Sequence, residues 1–160
     1  MSTSDGAVSS NRESEYGDLY KEHKFRQYEM FITSASEISK NRMNANKFFM
    51  TINSFLLTAF GLFIEKLSWA TWILPVLGII ISIVWFSTIK NYSTLNSAKF
   101  TVINDIEEEL PVEPYKKEWE IIKDNSKYKT LSKVEQKIPF SFGSIFAILI
   151  LIQICILHIK

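Results

Sequence analysis

Apolar residues gather along this chain in three dense blocks, and the polar stretches between them carry apolar positions at helical spacing. Residues 48–64 and 67–89 form the first two blocks, and only Glu65 and Lys66 separate them. One helix needs roughly 20 apolar residues to cross the hydrocarbon layer of a bilayer. The stretch 48–89 is too long for one crossing and suits two, with the reversal at Glu65-Lys66. A third block, 138–159, is uncharged and long enough to cross alone. The pattern therefore predicts an all-α integral membrane protein with three transmembrane helices, a hairpin over 48–89 plus a C-terminal span over 138–160, and a helical cytoplasmic region.

The remaining segments follow from the same periodicity. Residues 1–14 are rich in Ser and Asn without an apolar period, and are expected to be disordered. Residues 15–47 read as an amphipathic helix, with Tyr28, Phe31, Ile32, Ala35, Ile38 and Met43 at three- and four-residue spacings. That stripe suits packing against the protein's own helices, or a helix lying on the lipid surface. No breaker separates Ile89 from Leu110, so the second span is expected to continue out of the membrane as one rod of roughly 65 Å. Pro111 and Pro114 end it. A short amphipathic helix should follow over 115–123, with Tyr115, Trp119 and Ile122 on one side, then a polar connection over 124–137.

Within the hairpin, Thr51, Ser54, Thr58 and Gly61 fall on one face of the first span, and Thr71, Pro75, Gly78 and Ser82 on one face of the second. Small and hydroxylated residues let membrane helices approach closely, so these faces are expected to meet. Asn53 and Gln153 are the strongly polar points; interhelical hydrogen bonds suit them, and a pore or ligand role is the rival. Pro75 lacks an N–H and frees the carbonyl of Thr71, which predicts a mild kink. Trp69 and Trp72 near one end, with Trp85 and Tyr92 near the other, resemble the aromatic belts of membrane boundaries.

Charge adds orientation. Lys40, Arg42, Lys47, Lys90, Lys99, Lys133 and Lys137 flank one side of the spans, with Lys66 and Lys160 on the other. The bias puts the N-terminus and the middle region in the cytoplasm and the C-terminus outside. Residues 1–12 lack the apolar run of a cleavable signal, so insertion is expected to use the internal spans. A net charge of +1 gives no general case for nucleic acid.

Chemistry is sparse. Cys155 is the single cysteine, which excludes an intrachain disulfide and a multi-cysteine zinc site. No Gly-rich phosphate loop occurs, and His23 and His158 fall on opposite sides of the predicted membrane. No catalytic, cofactor-binding or metal-ligating residue is expected. Glu107, Glu108 and Glu109 end a helix, where the macrodipole disfavours acids, so lysines, a neighbouring subunit or a cation should offset them. Tyr115, Trp119 and Tyr128 could stack on a ligand, but acids crowd the same region, so no nucleic acid is expected.

Several short runs carry a family likeness. Gln27-Tyr28-Glu29-Met30-Phe31, Ser36-Glu37-Ile38-Ser39 and Asn46-Lys47-Phe48-Phe49 resemble the opening of the bacterial RipA-like octameric membrane proteins. Asn96-Ser97-Ala98-Lys99-Phe100 and the run from Leu110-Pro111-Val112-Glu113-Pro114-Tyr115 to Trp119 resemble that family's cytoplasmic signature. The resemblance implies a multi-pass bacterial inner-membrane protein that assembles as a homo-oligomer, an octamer, in envelope or stress adaptation. Tyr28, Phe31, Asn96, Lys99, Phe100, Tyr115 and Trp119 are the expected oligomer or partner contacts, and the resemblance transfers no active site. The leading expectation is a non-enzymatic assembly in the lipid bilayer. The rival is an oligomeric pore lined by Asn53, Thr51, Thr58 or Gln153, in outline similar to membrane-permeabilising defence effectors.

Overall fold

The computed structural model describes residues 16–64, 70–123 and 134–159. The reversal at Glu65-Lys66, Trp69, the N-terminal segment 1–14, Tyr128, Lys133, Lys160 and most of the expected connection over 124–137 lie outside those residues. The described residues form helices, with no strand among them. Four helices carry the fold: α1 Tyr20–Phe63, α2 Ala70–Glu107, α3 Pro114–Lys123 and α4 Lys137–Ile159.

α1 is uninterrupted because no proline occurs in it and its one glycine, Gly61, falls in the last turn. The expected amphipathic helix and the first apolar block are therefore one rod, ~66 Å long at 1.5 Å per residue. Its buried residues, Tyr28, Ala35, Ile38, Arg42, Asn53, Leu56 and Phe60, form one stripe along that length. The stripe packs on α2 and not on lipid. Tyr28 meets Glu107, Ser39 meets Asn96, Asn46 meets Trp85 and Asn53 meets Ser82. Numbers rise on one helix as they fall on the other, so the two run antiparallel.

α2 is the central element, and α4 packs antiparallel along its apolar half. Phe142 lies against Trp85, Phe146 against Gly78, and Gln153 reaches Thr71. The polar end has its own core, in which Tyr28, Ala35 and Ile103 pack with Phe31, Phe100, Leu110 and Tyr115. α2 ends one turn before Pro111, with the N–H groups of Glu109 and Leu110 bonding back to Ile106 and Glu107 in a tightened turn. Pro114 then opens α3, and Pro139 sits in the first turn of α4, positions where a missing N–H costs nothing.

Three expectations need correction. Two described helices, not three, are long and apolar enough to cross a bilayer: Thr71–Glu107 and Lys137–His158. The apolar part of α1, residues 48–63, spans ~24 Å against a hydrocarbon layer of ~30 Å. It is also diluted by Thr51, Asn53, Ser54, Thr58 and Gly61.

The two small-residue faces do not meet. Thr51, Ser54, Thr58 and Gly61 are exposed, and Asn53, Leu56 and Phe60 supply the face that α1 turns inward. Gly78 packs instead against Phe146 of α4.

Trp85 is no boundary anchor. Its ring is fully buried, stacked on Phe49 at 6.0 Å and leaning on Phe142 at 5.8 Å, and its Nε1–H donates to Asn46 at 2.8 Å.

A Cβ at Gly78 would overlap the buried Phe146 ring, whereas one at Gly61 would meet nothing within 4 Å. Gly78→Ala should therefore destabilise the α2–α4 contact by about 1–3 kcal/mol. Thermal unfolding of the detergent-solubilised chain should show it, with Phe146→Leu recovering part of the loss and Gly61→Ala leaving Tm nearly unchanged.

Candidate functional site

Two polar constellations stand out, one at each end of α2. At the polar end the carboxylate of Glu107 is fully buried. Its Oε1 accepts from the Tyr28 hydroxyl at 2.6 Å and from the Tyr115 N–H at 3.2 Å. Its Oε2 accepts from the Lys116 N–H at 3.1 Å. Tyr115 and Lys116 sit in the first turn of α3, where backbone N–H groups lack partners and the macrodipole favours an anion. Glu107 therefore ends one helix and caps the next, while tying both to α1.

The neighbouring acids are paired. Glu109 meets Lys24 of α1 and Glu108 meets Lys116 at 3.1 Å. Glu113 meets Lys116 at 2.9 Å. The acidic end of α2 is thus offset by lysines, as one of the expected alternatives had it. A helix N-terminus from the same chain is the offset that sequence reasoning missed. Hydrogen bonds to Glu113 and Glu108 hold the Lys116 ammonium protonated above the ordinary lysine range. Burial, with the hydrogen bond to Glu107 second, pushes the Tyr28 phenol well above the ordinary tyrosine value.

At the apolar end, Asn53 is fully buried, donates to the Phe49 carbonyl at 2.8 Å and accepts from Ser82 at 3.3 Å. Gln153 donates to the Thr71 carbonyl at 2.8 Å. That carbonyl is the one Pro75 leaves without its helical donor. The hydroxyls of Thr51 and Thr58 return to the carbonyls of Lys47 and Ser54 on their own helix.

The expected contact residues are mostly engaged within the chain. Lys99 lies over the Phe31 ring at 5.3 Å, Asn96 meets Ser39, and Phe100 packs edge-on against Tyr115 at 5.7 Å. Trp119 is the exception and stays half exposed. A groove of about 120 Å³ lies between α1, α2 and Tyr115, with apolar walls and the hydroxyls of Ser36 and Ser39. His23 bonds Tyr16 at 2.7 Å, while His158 sits in the last turn of α4 at the far end. Among the described residues no group of three His, Cys, Asp or Glu is placed to hold a metal ion.

The model of the octameric membrane protein family (8xMP) matches residues 25–155. No curated protein and no solved structure matches the chain.

Two outcomes test the Glu107 site. In Glu107→Gln an amide NH₂ must face a donor, which leaves a buried group unpaired at about 1–3 kcal/mol. Hydrogen exchange over residues 114–123 should then rise by roughly five- to a hundredfold.

The Tyr28 phenol gives a pH dependence. Its folded pKa is raised, so the stability it contributes is complete below about pH 10 and is lost as pH climbs above that ordinary value. Denaturation midpoints at about pH 9 and about pH 11 should differ more in the wild type than in Tyr28→Phe.

Proposed function

The chain belongs to the octameric membrane protein family, and on that premise we propose that it is a non-enzymatic, homo-oligomeric protein of the bacterial inner membrane. In this reading its N-terminal and middle helices form a cytoplasmic assembly or partner-binding region. Tyr28, Glu107 and α3 lie at one end of the molecule, the segment leading into α4 meets Arg42 near its middle, and the ends of α1 and α4 lie at the other end. Lysine bias favours the first end as the cytoplasmic one. The apolar part of α1 runs beside the candidate span in α2 without matching its length.

One observation carries the reading. α3 is held in a fixed orientation by Glu107 yet buries none of its own residues. Trp119 is 51% exposed and Ile121 74%, far from the lipid-facing half of α2. A helix ordered at the cost of a buried carboxylate, with Trp119 and Ile121 left exposed, suits a contact between copies. Tyr28, Phe31, Asn96, Lys99, Phe100 and Tyr115 support that contact indirectly, by setting the frame on which α3 stands. A pore lined by Asn53 or Gln153 is less well supported, because both side chains are buried with partners in their own chain.

The purified chain should run in mild detergent at eight times its 18.6 kDa mass by light scattering, after subtraction of detergent. Trp119→Asp with Ile121→Asp should shift it to smaller species while its helix content is kept. A wild-type monomer at micromolar concentration would refute the assembly reading.

A further inference from the structure

Around the middle of the molecule the three long helices carry cations with almost no acid beside them. Residues 38–63 of α1, 70–104 of α2 and 137–159 of α4 contain no Asp or Glu. The same segments contain Lys40, Arg42, Lys47, Lys90, Lys99 and Lys137. The nearest carboxylate on α4's side, Glu135, is taken by Arg42 at 3.0 Å. Lys99 is settled on the Phe31 ring.

Three of the lysines stand at one height. Trp85 of α2 receives Asn46 and Phe49 from α1 and Phe142 from α4, which aligns the helices at that level. Lys47 adjoins Asn46; Lys90 lies five residues beyond Trp85 and Lys137 five before Phe142, both toward the polar end. The pairings of Ser39 with Asn96, Asn53 with Ser82, Phe146 with Gly78 and Gln153 with Thr71 put Lys47 and Lys137 level with residues 87–88 of α2, so all three fall within about one helical turn, ~5.4 Å, along the axis. Each is exposed, and among the described residues none is engaged in an ion pair.

Every one of these lysines has a large exposed aromatic within a turn on the apolar side. Phe48 follows Lys47, Phe86 precedes Lys90 by one turn, and Phe140 follows Lys137 by three residues. An ammonium on a flexible apolar stem above an exposed ring matches a phosphate above an acyl chain. We propose that Lys47, Lys90 and Lys137 form a collar that binds the phosphate headgroups of anionic phospholipids, with Phe48, Phe86 and Phe140 against the acyl chains beneath. The collar sets the depth at which the helices sit and makes the protein depend on acidic lipid. It rests on the membrane-embedded reading above and not on copy number: a monomer can prefer acidic lipid, and an octamer can be indifferent to it.

The test uses the full chain in a neutral detergent, titrated separately with phosphatidylglycerol and phosphatidylcholine. Bound lipid is read by native mass spectrometry and stabilisation by thermal unfolding. Phosphatidylglycerol should bind more tightly, and K47Q/K90Q/K137Q should lose roughly fivefold per lysine, on the order of a hundredfold in all. The arginine variant K47R/K90R/K137R should keep the preference, and Lys117→Gln with Lys123→Gln, remote from the collar, should not alter it.

Equal binding of the two lipids, or an unchanged preference in the glutamine variant, overturns the proposal. Stabilisation by inorganic phosphate alone, matching that by phosphatidylglycerol, overturns the lipid as its source. Should the glutamine variant fail to fold, rising salt on the wild type decides. A preference that fades with ionic strength supports the collar, and one that persists refutes it.

Discussion

A backbone N–H or C=O withdrawn from water must find a partner, and α2 creates such an obligation at each of its ends. At the apolar end Pro75 leaves the Thr71 carbonyl without its donor, and the Gln153 amide supplies one from α4. At the polar end the first N–H groups of α3 are open, and the Glu107 carboxylate accepts two of them. In both places a long polar side chain completes the backbone of a different helix. An interhelical bond of this kind in an apolar setting contributes about 0.6 kcal/mol on average. Its larger effect is on register: α4 cannot slide along α2, nor α3 rotate on it, without exposing an unpaired group.

Register is fixed between those ends by shape. Trp85 is the pivot, because one fully buried indole touches α1 through Phe49 and Asn46 and α4 through Phe142. A turn deeper, Asn53 and Ser82 pair across α1 and α2 while Gly78 admits Phe146 from α4. α2 thus presents small residues where a neighbour brings a large one, the condition for close helix packing in lipid.

Much of this was legible in one dimension. Long apolar blocks located the candidate spans in α2 and α4, and the prolines at 111, 114 and 139 located α3 and the start of α4 to within a residue or so. The freed Thr71 carbonyl could be named from Pro75 alone. Its donor could not, since Gln153 lies 82 positions away and any polar side chain of α4 would have served on paper.

Azimuth was the recurrent failure. A helical wheel shows which residues share a face, not which of two neighbours that face meets. Thr51, Ser54, Thr58 and Gly61 form a small-residue face that points outward, and Trp85 looked like a boundary anchor because depth alone was visible. The first apolar block failed differently. Its length and polar content put it just short of a span, a margin that a reading by residue counts does not resolve.

The distribution of polarity bears on what such a molecule can do in a membrane. Asn53 and Gln153, the two amide side chains buried among the apolar segments, both turn toward partners in their own chain. The threonine hydroxyls at 51, 58 and 88 bond their own helix. A water-filled path needs polar groups turned outward from each copy toward a shared axis; here the two amides are turned inward, and the outward hydroxyls of Thr51 and Thr58 donate to carbonyls of their own helix. The outward surface of the apolar half is instead Phe, Ile, Leu and Val, which suits lipid or another apolar face. Exposed apolar residues also stand at the other end, on α3. A protein so arranged keeps its hydrogen bonds for its own fold and leaves apolar contact as the means of joining copies, which favours a packed assembly over a conducting one.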